Sequence, residues 1–182
     1  MSISHNEILT FWFSEPMKSH WFSSTEDIDN LIRDNFENLW EQASRGECDD
    51  WMQTADGSLA LVIVLDQFPL NMFRGTKKSF STEAKSIEVT KQALAAGQDQ
   101  QIKKDHLAFL YMPLMHSEND ADQALSVSLF ERAGLDENVK FAKHHQGIVK
   151  RFGRFPHRNK ILGRVNTEEE QQYLNSDEAF KG

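Results

Sequence analysis

Between Ser24 and Gly46, Ile28, Leu31, Ile32, Phe36, Leu39, Trp40 and Ala43 recur every three or four residues. That spacing puts them on one side of an α-helix of about five turns, and the side must be buried against something apolar. The rest of the chain offers helices for the purpose. Only 9 Gly and 4 Pro interrupt 182 residues, too few for the tight turns of a many-stranded sheet, while good helix formers are frequent. Ser24 and Asp27 have the spacing of an N-terminal capping box, and Gly46 supplies the stop.

The same pattern predicts helices over 4–13, 56–73, from Ser81 or Thr82 to Gly97, and over 103–116, 120–133, 136–152 and 167–174. The first turns Ile8, Leu9, Trp12 and Phe13 inward and ends before Pro16; the last opens on Thr167 and Glu170 in capping-box spacing. Residues 59–65 read LALVIVL, which suits a buried strand as well as a helix. Helix is preferred, because no other segment supplies a pairing partner for a strand's backbone. Pro69 is expected to bend or end it. Short connections make successive helices antiparallel neighbours. The expectation is an all-α single domain over 1–182, a compact array of about eight helices in antiparallel hairpins. It is tetratricopeptide-like in the length of the 103–134 pair, though without a regular repeat.

Several classes are disfavoured. The N-terminus MSISHNEILTFWF lacks the basic start and long apolar stretch of a secretory signal, and no apolar run approaches the roughly 20 residues of a membrane span. A single cysteine, Cys48, allows no internal disulfide, which fits a reducing cytoplasm. Formal charge is −8 and no RNA-binding signature occurs, so nucleic acid is an unfavoured partner. No Walker loop, GxGxxG or GxSxG occurs either, which leaves ordinary nucleotide-binding and hydrolase folds unsupported.

Three segments carry a resemblance: LDQFPLNMFRGT at 65–76, FLYMPLMHSE at 109–118 and RFGRFPHRNKILGR at 151–164, together with FWF at 11–13. In this order they resemble the bacterial family called domain of unknown function 924. The resemblance implies an all-helical, tetratricopeptide-like fold and assigns neither an activity nor catalytic residues.

Residues 138–166 hold eight basic side chains and no acidic one, which leaves −16 on the remainder. Arg151, Arg154 and Arg158 could converge on a phosphate or carboxylate, joined by His145, His157 and Asn159. The plainer reading, which takes precedence, is that these cations balance acids elsewhere in the same molecule. Asp66 closes an apolar run and needs a partner; Arg74 or an arginine of 151–158 could supply it, with Gln67 completing a polar network. Tying motifs together is favoured over general-base work for Asp66. His116 and Glu118, at a helix-to-helix break, could act as an acid/base pair. No HxxxH or HExxH spacing occurs, and adjacent His144 and His145 diverge on a helix, so neither metal nor other cofactor is expected. Phe11, Trp12, Phe13, Trp21, Phe22, Trp40 and Trp51 are expected in core packing before any ligand cage.

The leading expectation is a binding protein for an anionic small molecule or acidic peptide, in a groove lined by 66–76, 109–118 and 151–164. The competing one is a hydrolase or transferase acting on a phosphorylated or carboxylated substrate, with Asp66, His116, Glu118 and His157 as catalytic candidates.

Overall fold

The structure is a computed structural model that describes residues 3–180. Helices are α1 (His5–Trp12), α2 (Met17–His20), α3 (Glu26–Ser44), α4 (Ala55–Val62), α5 (Phe68–Met72), α6 (Glu83–Ala95), α7 (Lys104–His116), α8 (Asp120–Ala133), α9 (Asp136–Phe152), α10 (Asn159–Leu162) and α11 (Glu168–Leu174). Short 3-10 turns join several of them, and among the described residues there is no strand. A π-helical turn, Ile63–Gln67, links α4 and α5 without a break, so the eight expected helices are all present, joined by the single turns α2 and α10. Among the described residues no helix is long and apolar enough to cross a membrane.

The chain divides into two compact units, Met1–Arg74 with Lys78–Pro113, and Gly75–Lys77 with Leu114–Gly182. In the first, α3 starts at the Thr25 cap, one residue later than expected: the Thr25 hydroxyl accepts the Ile28 N–H (3.4 Å), and the Ser24 hydroxyl donates to Asp29 (2.8 Å). Its stripe is buried at Ile28, Ile32, Phe36, Leu39, Trp40 and Ala43, while Leu31 lies at the stripe's edge and is exposed. Trp12, Phe36 and Phe68 pack ring on ring. Of the aromatics expected in core packing, Trp12 and Trp40 are buried and Phe11, Phe13, Trp21 and Trp51 partly buried, whereas Phe22 departs from the expectation and is 78% exposed. At the start of α4, Gly57 lies so close to the Trp51 carbonyl that a Cβ would sit 2.0 Å from its oxygen.

Pro69 has no N–H for the carbonyl four residues back, and its ring crowds that oxygen. The helix answers with the π-turn, and the orphaned Leu65 carbonyl accepts a hydrogen bond from the Thr82 hydroxyl (2.6 Å). The Trp40 indole N–H in turn donates to Thr82 (3.1 Å). Every residue from Leu59 to Phe68 is buried, as a helix wrapped on all sides must be.

In the second unit, α8 packs along α9 as a helical hairpin turned at Gly134, whose φ of 63° suits glycine. Ile148, Val149, Phe155 and Tyr173 form its core with Phe152, Leu174 and Phe180 against them. Thr167 and Glu170 form the reciprocal cap of α11.

Candidate functional site

The basic segment is largely neutralised by acids flanking it in sequence. Lys140 pairs with Glu137 (2.6 Å), Lys143 with Glu131 (2.7 Å), Arg151 with Glu169 (2.8 Å), Arg154 with Glu170 (2.6 Å) and Arg164 with Glu118 (2.7 Å). The first three are exposed, so solvent screening leaves each of them weak. The last two are two-pronged. Arg154 Nε and Nη2 donate to the two oxygens of Glu170, and the pair holds that carboxyl down at about pKa 2. Arg164 Nη1 and Nη2 donate to the two oxygens of Glu118, which also accepts the Phe155 N–H (2.8 Å). Burial raises the Glu118 pKa, yet these bonds outweigh it and the net shift is downward. Asn159, 1% exposed, accepts from Arg164 Nε and donates to Asn166, which ties the 151–164 motif into one polar frame.

Inside that frame lie the histidines. His116 ends α7, and its carbonyl accepts from Arg158 Nη2 (2.9 Å), whose guanidinium stacks over the Phe155 ring at 4.7 Å. His145 is buried on α9 with Nδ1 2.8 Å from the Phe141 carbonyl; an oxygen that only accepts makes Nδ1 the protonated nitrogen. His157 is half-buried on the 3-10 turn Pro156–Arg158, and its buried Nδ1 has no hydrogen-bond partner. Burial first, then in His157 the charge of Arg158, pushes both imidazoles down to about pKa 4, so both are neutral at pH 7. Phe180 covers the group, with ring centroids 4.7 Å from His145, 5.0 Å from His157 and 5.9 Å from His144.

Gln123 and Ser126 were no part of the sequence expectation. Both are fully buried, one turn apart on the same side of α8. Gln123 Nε2 donates to the carbonyls of Met115 and Ser117, on either side of His116 (2.7 Å each), while its Oε1 and the Ser126 hydroxyl have no hydrogen-bond partner. Their signal was two polar residues at the pitch of the buried Val127 and Phe130.

The remaining candidates belong to the first unit. Asp66 and Gln67 sit buried on the π-turn, where Gln67 Nε2 donates to Asp66 (2.6 Å) and approaches the Met112 sulfur (3.6 Å). Arg74 forms a two-pronged pair with Asp29 (2.8 and 3.1 Å), which raises its pKa, and also reaches Asn71. His116, Glu118, His145, Arg151, Arg154, His157, Arg158 and Asn159 are thus gathered in one unit, and Asp66, Gln67 and Arg74 in the other. Among the described residues no three His, Cys, Asp or Glu side chains form a metal-binding group.

Fold and site together define an all-helical protein with an arginine–carboxylate frame beside the neutral His145 and His157. The chain belongs to the family described as bacterial protein of unknown function (DUF924), whose model matches residues 8–178. It is similar to the solved structure of a protein of unknown function from Agrobacterium tumefaciens, with 39% identity and a TM-score of 0.89 over 94% of this chain and 96% of that one. A search of curated proteins finds no match.

Proposed function

We propose that the chain is a binding protein whose second unit takes a small anionic molecule carrying hydrogen-bonding groups, held around His116 and His157. The observation that carries this reading is that the second unit holds three buried polar atoms without a hydrogen-bond partner, Gln123 Oε1, Ser126 Oγ and His157 Nδ1, while the carboxylates of Glu118 and Glu170 are occupied. Buried polar atoms without partners cost about 1–3 kcal/mol each, a cost that a ligand offering both donors and acceptors removes. His157 lies in the field of Arg158 and Arg164 with Glu118 opposing, and a neutral imidazole beside two cations suits a phosphate or carboxylate with a nearby hydroxyl. Arg151 and Arg154 move out of the first rank as ligands, since Glu169 and Glu170 engage them. The helical hairpins serve in this reading as a tetratricopeptide-like scaffold.

The catalytic alternative has one supporting observation, a neutral His157 available as a base at pH 7. Glu118 argues against it as the acid, being ionised and fully hydrogen-bonded. The test is a thermal-shift screen against inorganic phosphate, sugar phosphates and hydroxycarboxylates. Saturable stabilisation is expected, weakened at least about tenfold in His157→Ala and unchanged in Arg151→Ala. No stabilisation by any of these anions, or an unaffected His157→Ala variant, rejects the reading.

A further inference from the structure

The first unit holds a cavity of about 500 Å³, within the roughly 300–1,000 Å³ span of small-molecule sites. One part of its wall is apolar, Ile3 and Leu39; another is aromatic, with the His5 and Trp51 rings edge to face at 5.8 Å. Its charged lining consists of Glu47 and Asp50, with no Lys or Arg. Glu47 is paired with Arg45 (2.7 Å), and the neighbouring Asp49 with Lys85 (2.9 Å), whereas Asp50 has no hydrogen bond or ion pair among the described residues. Cys48, 5% exposed, also lines the cavity, and its thiol makes no hydrogen bond among the described residues.

The wall is rigidly placed. Gly57 lets the start of α4 press against the Trp51 carbonyl, and the Thr54 hydroxyl accepts the Gly57 N–H (3.1 Å), which fixes the 3-10 turn Asp49–Gln53 that bears Asp50 and Trp51. The surroundings are negative well beyond the lining. The first unit has 17 acidic and 9 basic residues and so carries the chain's whole formal charge of −8, the second unit being balanced at 11 of each.

We propose that this cavity is a binding site for a small organic cation, a primary ammonium on an apolar stem. Asp50 accepts the ammonium hydrogens, the Trp51 face attracts the charge, and Ile3 and Leu39 take the stem. A hydrogen-bonding ammonium suits the site better than a quaternary one, since a carboxylate oxygen awaits an N–H donor. On the same wall the Cys48 thiol is raised in pKa by burial and then by Asp50, Glu47 and Asp49.

The experiment titrates the protein with hexylamine, hexanol and hexanoate, followed by calorimetry and by tryptophan fluorescence. Hexylamine is expected to bind saturably and at least tenfold more tightly than hexanol, with hexanoate weakest. In Asp50→Asn, at an exposed position, the preference for hexylamine over hexanol should fall to within about twofold. Trp51→Phe should keep the calorimetric preference while losing the fluorescence response. Absence of saturable hexylamine binding, equal affinity for hexanol, or an undiminished preference in Asp50→Asn would each overturn the proposal.

Discussion

His145 sits at the pitch of Ala142, Val149 and Phe152, so it turns inward while adjacent His144 stays in solvent. That phase is legible in the residue spacing alone; the pairings of Arg151, Arg154 and Arg164 are not, because their carboxylates lie 18, 16 and 46 residues away. Burial has a pH signature. His145 titrates near 6.5 unfolded and near 4 folded, so the unfolded chain takes up its proton first. Its contribution is complete above about pH 6.5 and drains away as pH falls towards 4, on the order of 3 kcal/mol in all. His157 adds loss over the same window, and Glu170, lowered to about 2, extends it below about pH 4.5. Urea unfolding at pH 7, 6, 5 and 4.5 should show a steep decline that His145→Gln flattens; parallel profiles would place the loss elsewhere.

Helices with a buried stripe or a cap announce themselves in the sequence, α3 and α11 most clearly, since periodicity accumulates over several turns. A four-residue turn such as α2 or α10 is too short to show a period. The segment 56–73 hides more, because an apolar run on every face carries no phase, and the hydroxyl that meets the carbonyl four residues before Pro69 comes from the distant cap of α6. Thr82→Val removes that hydroxyl and leaves both the Leu65 carbonyl and the Trp40 indole N–H unpartnered. The expected loss is about 2 to 4 kcal/mol in urea unfolding. It should shrink in a Pro69→Ala background, where residue 69 regains an N–H for Leu65; an undiminished loss would separate the π-turn from the proline.

Over the whole chain, charge is unevenly spread: the first unit carries the net −8 and the second is neutral. Self-repulsion in the first unit should make added salt stabilising, with the melting temperature rising by a few degrees between about 10 and 150 mM NaCl as the screening length shortens. A fall would mean that the ion pairs outweigh the repulsion. The hydrogen bond from Trp40 to Thr82 has a use of its own. Its indole proton is enclosed where α3, α6 and the π-turn meet, so deuterium replaces it only when that junction separates. The exchange time of this one proton, followed by NMR in heavy water, is a clock for the opening of that junction.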